Sequence, residues 1–233
     1  MSTANDFAFM IWRRGRRAGD EEWREGTGWR PENLRKPGVA PATVIDVGAA
    51  RGTPNLYDAF PEAHLVLVEP LHEFEDDLRR ICRRRGGEYV LAAAGAAPGR
   101  AELFVDQRML YASSLLIDER RPAQEQESLE RREVTVTTLD ELRGERDWQP
   151  PFGLKVDVEG YEHRVIEGAQ ALLREAQFVI AEVSVARPVA GGMPFAGFIA
   201  LMDQFGFAVH DVLDGTKHGY GGVDFVDLYF RPV

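Results

Sequence analysis

Val44-Ile45-Asp46-Val47-Gly48-Ala49-Ala50-Arg51-Gly52 is the stretch on which the fold turns. A buried-strand pattern broken only by Asp46 runs into a glycine turn, and Pro54 stands where a first helical turn accepts proline. Such a strand–turn–helix opens an α/β sheet, and the chain around it continues the pattern. Short apolar runs predict strands at 43–48, 64–69, 89–94, 154–158, 178–185, 207–212 and 223–230. Between them apolar residues recur every three or four positions: Leu71, Phe74, Leu78 and Ile81, then Val165, Ile166, Ala169, Leu172 and Leu173 within a helix over 161–174. A later helix carries Phe198, Ile199, Met202 and Phe205 and is stopped by Gly206. The last two strands are joined by the glycine-rich stretch 214–222 with no helix between them, so they should pair antiparallel at one edge. The expected fold class is α/β, an open doubly wound and mostly parallel sheet with that antiparallel pair.

Composition narrows the function classes. The chain has 233 residues and a formal charge of −10, which disfavours a surface built to neutralise nucleic-acid phosphates or an anionic bilayer. Cys82 is the single cysteine, so no intrachain disulfide forms, which suits a cytoplasmic location. The apolar run 7–12 is too short to span a bilayer, and the arginines 13, 14, 16 and 17 lie on the wrong side of it for an export signal, so no membrane insertion is expected. Residues 1–42, with Trp12, Trp23 and Trp29, read as an arm packing on a domain formed by 43–233. Within that domain, residues 99–139 form an insertion with strand-like runs at 100–105 and 133–138, and its length and polarity suggest a surface excursion of the kind that covers ligands.

Ligands of open α/β sheets bind at the carboxyl ends of the strands, near the point where strand order reverses. The Gly48 turn lets backbone approach a ligand there, and Glu69 ends the next strand about 20 residues on, where an acid hydrogen-bonds ribose hydroxyls. The turn alone is equally what any glycine-turned βα connection shows; the pairing with Glu69 shifts the reading to a nucleoside. Gly48-x-x-x-Gly52 lacks the glycine pattern that seats a pyrophosphate, which disfavours a nicotinamide dinucleotide. An adenosyl cofactor ending in an amino acid fits better, with Asp46 receiving its amine, and S-adenosylmethionine has that shape and charge.

Strand 154–158 is the second informative stretch. Alternation puts Lys155, Asp157 and Glu159 on one face, and three charges in a row on a central strand need partners or a cavity. A structural Lys155–Asp157 ion pair with Glu159 capping the next helix is the competing reading. Glu182 interrupts an apolar run near the carboxyl end of the following strand. Asp157, Glu159 and Glu182 are hard oxygen donors with the chemistry to hold Mg²⁺, but no ligand spacing requires it and no metal is assigned.

Several stretches together resemble the FkbM-type family of class I methyltransferases. They are Val44 to Gly52, Glu69-Pro70, Ser113-Ser114-Leu115, Leu154-Lys155-Val156-Asp157-Val158-Glu159-Gly160-Tyr161-Glu162, Glu167-Gly168-Ala169 and Ile180-Ala181-Glu182-Val183. The resemblance implies a Rossmann-like seven-stranded fold and methyl transfer from S-adenosylmethionine, usually to an oxygen of a sugar or natural product, so that the partner is a small-molecule or glycosidic acceptor. Donor contacts are expected from Asp46, Gly48, Ala49, Arg51 and Gly52 in the first turn. Asn55, Glu69, Pro70, Ala94 and Asp157 complete the donor set. Glu159 or Glu182 is expected to take the acceptor's proton, with Lys155 holding the carboxylates in place. The chain departs from the family pattern at Ala50, near Asn55, at Tyr161 and near Ser184, positions that bear on the acceptor more than on the donor. The competing functions are a non-catalytic nucleoside-binding scaffold and an NAD-dependent oxidoreductase.

Overall fold

A computed structural model describes residues 27–117, 123–186, 189–217 and 223–233. The run 7–12, its arginines, Trp12 and Trp23 lie outside these residues, as do 118–122 of the insertion and 218–222 of the last connection.

The strands in chain order are β1 Thr43–Val47, β2 His64–Val68, β3 Gly87–Val90, β4 Ala93–Ala94, β5 Gly99–Val105, β6 Glu130–Thr137, β7 Phe152–Val156, β8 Ala176–Ser184, β9 Phe207–Lys217 and β10 Val223–Pro232. Seven of them form one sheet in the order β3-β2-β1-β7-β8-β10-β9. β1, β2, β3, β7 and β8 run parallel, while β10 pairs antiparallel with both β8 and β9. The fold is therefore the doubly wound, mostly parallel seven-stranded sheet with an antiparallel edge pair. Strand order reverses between β1 and β7, so the crevice for a ligand opens at the carboxyl ends of those two strands.

Every residue of β1 and β7 is buried, because helices cover both faces. Ile45, Val47, Leu154, Val156, Val179 and Ala181 face helices Glu162–Glu167, Gln170–Leu173 and Phe195–Gln204. Val44, Leu65, Leu67 and Ile180 face the other way, toward helices Pro54–Ala59 and Glu75–Arg85 and toward Leu34. On this second face Phe178 lies stacked between Phe60 and Tyr229, with ring centroids 5.2 Å apart on each side. Helix Glu75–Arg85 carries Glu75, Asp76 and Asp77 in its first turn and Arg83, Arg84 and Arg85 in its last, matching the helix dipole. Residues 27–36 pack beside the antiparallel edge: the Trp29 indole N–H donates to Asp227 Oδ2 at 2.7 Å, and Lys36 pairs with Asp211. No helix among the described residues is long and apolar enough to cross a membrane.

Three details differ from the sequence reading. The expected strand 89–94 is split, with Gly87–Val90 on the large sheet and Ala93–Ala94 pairing with β6 in a second, three-stranded sheet ordered β4-β6-β5. The insertion is thus framed by a small sheet, in which β5 pairs antiparallel with β6. The strand expected to reach residue 158 ends at Val156, because the backbone N–H groups of Val158 and Gly160 leave the ladder and donate to the Glu162 carboxylate instead. The helix expected over 161–174 is two short helices broken at Gly168. A Cβ there would meet the Gly95 carbonyl oxygen at 2.0 Å, so the chain passes closely at that point. Asp140 accepts the N–H groups of Ala171 and Leu172 at 2.8 and 2.9 Å, starting the helix afresh.

Candidate active site

The turn after β1 begins with Gly48 at φ +72°, its N–H donating to the Val68 carbonyl at 2.9 Å. A Cβ at Gly48 would lie 1.7 Å from the Asp157 carbonyl oxygen, so only glycine lets the β1 turn and the loop after β7 touch backbone to backbone. Ala50 follows at φ +42° and donates its N–H to Glu69 Oε2 at 2.9 Å. Glu69 Oε1 accepts from the Leu71 N–H at the same distance. The Glu69 carboxyl is 5% exposed, and burial pushes it up to about 7 against those two hydrogen bonds.

Around this acid lies a cleft of about 560 Å³, open mouth included. One wall is Val47, Gly48 and Ala50, and the next is Glu69, Pro70, Leu71 and Phe74. Ala92–Ala94 and Leu103 form the inner side, residues 110–115 of the insertion the roof, and Asp157, Val158, Glu159 and Tyr161 the far wall. Three carboxylates line the cleft, and no Lys or Arg stands among its described lining residues.

The expected site residues divide accordingly. Gly48, Glu69, Pro70, Ala94, Asp157 and Glu159 line the one cleft. Asp46 does not reach it: it is fully buried beneath, where Oδ2 accepts the Tyr57 hydroxyl at 2.5 Å and Oδ1 lies 3.2 Å from Lys155 Nζ. Asp46, expected to receive an amine, instead turns both its oxygens toward Tyr57 and Lys155 inside the protein. Ala49 is packed in the core, Gly52 sits behind it against Ile81 and Tyr57, and Arg51 and Asn55 point to solvent, Arg51 at 3.8 Å from Asp77. None of these four lines the cleft.

Lys155 is 6% exposed and bridges Asp46 and Asp157, with Nζ 3.2 Å from an oxygen of each. Burial alone would lower the ammonium's affinity for its proton, but the two acids outweigh burial and hold Lys155 above its ordinary value. The Lys155–Asp157 ion pair weighed as a structural alternative is thus present, with Asp46 as a second member.

Beyond Asp157 the acids continue across the sheet. Asp157, Glu159 and Glu182 each present an oxygen within 4.8 Å of the others. Glu182 on β8 stands in register with Asp227 on β10, and Asp227 with Asp214 on β9. Like charges placed opposite one another destabilise a sheet, and they raise each acid's affinity for its proton. Burial, then Asp157, Glu159, Asp227 and Glu162 raise Glu182 well above the carboxylate range. Burial and Asp157 push Asp227 up to about 7 against the Trp29 hydrogen bond. Three hard oxygens at this separation can also hold a divalent cation, but Asp157 already spends an oxygen on Lys155.

Glu162 and Asp227 are the residues the sequence did not single out. The capping considered for Glu159 belongs to Glu162, whose Oε1 accepts the N–H groups of Val158 at 3.1 Å and Gly160 at 3.0 Å. Asp227 could have been found only as an acid interrupting the apolar run of the last strand, as Glu182 does in its own.

A family model described as Methyltransferase FkbM domain matches residues 46–209. No curated protein matches the chain at a significant level. Among solved structures, that of LaPhzM is 14% identical with a TM-score of 0.40, over 83% of this chain and 50% of that one. The chain thus spans about half of LaPhzM's length. The 1,6-didemethyltoxoflavin-N1-methyltransferase of Burkholderia thailandensis is 13% identical with a TM-score of 0.45, over 100% and 92% of the two chains. Magnesium protoporphyrin IX methyltransferase of Synechocystis PCC 6803 is 10% identical with a TM-score of 0.48, over 98% and 93%.

Proposed function

The chain belongs to the FkbM methyltransferase domain family, and from that premise we propose that it transfers the methyl group of S-adenosylmethionine to a hydroxyl oxygen of a small-molecule or glycosidic acceptor. The observation that carries this reading is the charge of the cleft: Glu69, Asp157 and Glu159 line it without a Lys or Arg among the described lining residues. An anionic pyrophosphate finds no partner there, whereas a ligand bearing a sulfonium and an ammonium is attracted. The residues fit such a donor in shape as well. Glu69 is held by two backbone N–H groups and faces the cleft, and Gly48 keeps the floor at backbone height where a Cβ would not fit.

When bound, S-adenosylmethionine supplies an electrophilic methyl group on a positively charged sulfur. Glu69 holds the ribose hydroxyls, the apolar wall of Phe74, Ala93, Ala94 and Leu103 takes the base, and Asp157, steadied by Lys155, takes the ammonium end. The acceptor's hydroxyl proton goes to Glu159 or Glu182, which share the acid set next to the cleft. The segment 110–115 of the insertion excludes water from above, and the arm expected over residues 1–42, of which 27–36 pack beside the antiparallel edge, helps choose the acceptor. A cytoplasmic location follows the same reading, with Cys82 the single cysteine.

The test is calorimetric titration of the purified chain with S-adenosylmethionine, S-adenosylhomocysteine and NADH, with Glu69→Ala as control. A panel of sugar glycosides and hydroxylated natural products is then incubated with isotopically labelled donor. Binding of both adenosyl ligands but not NADH, lost in the variant, with label appearing on a panel member, is the expected result. Binding of NADH would sink the reading, and donor binding with no label on any glycoside or natural product would replace it by a scaffold role. Among catalytic variants, at least one of Glu159→Gln and Glu182→Gln loses about 10²–10⁴ in turnover.

A further inference from the structure

Glu159 stands at φ +56°, a left-handed conformation that a residue with a side chain adopts only where its surroundings impose it. The surroundings do so from two directions. On one side Glu162 Oε1 accepts both flanking N–H groups, that of Val158 at 3.1 Å and that of Gly160 at 3.0 Å. On the other, the Ser114 hydroxyl donates to the Glu159 carbonyl at 2.8 Å. Ser114 is itself bridged to Phe104 on β5, its carbonyl accepting at 2.9 Å and its N–H donating at 3.2 Å, so this hold belongs to the frame of the inserted sheet. Glu162 and Ser114 are 6% and 8% exposed, which removes water as a competitor for these bonds.

Glu159 lines the cleft and Glu162 does not, so Glu162 acts on what happens there only through the loop it grips. We infer that Glu162 is a positioning residue, whose carboxylate holds the backbone of Glu159 in the one conformation that presents the Glu159 side chain to the acceptor hydroxyl, with Ser114 as the opposing hold. The inference rests on the methyltransferase reading above. Because a single oxygen takes both N–H groups, the role requires an acceptor atom at that point and not a negative charge. A glutamine can supply that atom and an alanine cannot.

The experiment compares Glu162→Gln, Glu162→Ala, Glu159→Gln and the Glu162→Ala/Glu159→Gln pair in the full chain. Amide hydrogen exchange at Val158 and Gly160, with the amide–α-proton coupling of Glu159, is read without any ligand. Glu162→Ala should speed both exchanges and shift the coupling away from the left-handed value, while Glu162→Gln leaves all three as they are. With the panel compound that accepts label as the acceptor and donor saturating, Glu162→Ala should lower kcat about 10²-fold with acceptor KM nearly unchanged. Glu162→Gln should restore turnover, and Glu162→Ala should cost nothing further once Glu159 is glutamine. A glutamine variant as damaged as the alanine one, unchanged exchange in Glu162→Ala, or losses that simply multiply in the double variant would each overturn the inference. If Glu162→Ala does not fold, Glu162→Met, which keeps the volume without an acceptor oxygen, takes its place in the same cycle with the same expected and overturning results. Full turnover in Glu159→Gln alone would instead refute Glu159 as the base, a failure visible before any cycle is built.

Discussion

On the proposed reading Glu69 should make donor binding pH-sensitive, and the size of the effect follows from where it sits. Its carboxyl is pushed up to about 7 by burial, so between pH 8 and 5.5 it passes from mostly ionised to mostly neutral. A ribose pair of hydroxyls donates to the ionised form, and only that form counts toward binding. The apparent dissociation constant should therefore be flat at pH 8, begin to rise near 7, and climb tenfold per unit below, reaching about 30-fold weaker at pH 5.5. The assay is calorimetric titration with S-adenosylhomocysteine at half-unit pH steps. Because that ligand's own amine also titrates, Glu69→Gln serves as reference: it keeps the side chain's shape and abolishes the carboxyl titration. The difference between the two profiles isolates Glu69. An affinity flat from pH 8 to 5.5, or the same slope in Glu69→Gln, would refute the assignment of this acid to the ribose.

Three further outcomes are expected. Lys155→Met strands the fully buried Asp46 beside Tyr57 and should cost about 3–5 kcal/mol in denaturant unfolding, with much of it recovered in the Lys155→Met/Asp46→Asn double variant; no recovery would mean the lysine acts mainly by packing. Glu69, Glu162 and Asp227 all bind their protons more tightly folded than unfolded, near 7 against 4.5, 4.5 and 3.8. Stability they withhold at pH 8 is regained as pH falls through 7, so the melting temperature should rise from pH 8 to 6.5, above the range where the buried His163 ring resists protonation; a fall over that interval in scanning calorimetry contradicts the placement of these acids. EDTA should leave both glycoside methylation and the melting temperature unchanged, since Asp157 already spends an oxygen on Lys155; loss of activity restored by Mg²⁺ would hand Asp157, Glu159 and Glu182 to a metal.

What could be read from the sequence was what lies close along the chain. The strand, the Gly48 turn and Glu69 fall within a few dozen residues, and βα geometry alone brings them to one end of the sheet. The antiparallel edge pair was equally local, announced by a glycine-rich connection without a helix. Its position was not: that β10 lies against β8, and so sets Asp227 opposite Glu182, is decided by register between strands far apart in sequence. Alternation assigned Lys155 a face, but whether Asp46 on the neighbouring strand would look outward to a ligand or inward to that lysine depended on Tyr57 closing over it. The capping considered for Glu159 fell to Glu162 for a similar reason. Both are acids at the start of a helix, and only the loop conformation shows which one turns back onto the backbone.

The contact between the Gly48 turn and the Asp157 carbonyl bears on how such a protein can change over time. Two stretches of main chain that touch directly offer no side chain for substitution to lengthen or shorten, so the spacing between the nucleoside half of the cleft and its reactive half is a fixed gauge. On the proposed reading, novelty in the molecule being modified comes instead from side chains at the cleft mouth, such as those of Leu110, Tyr111 and Leu115. A lineage built on this frame would, on that reading, vary its acceptor while its grip on the donor stays where it began.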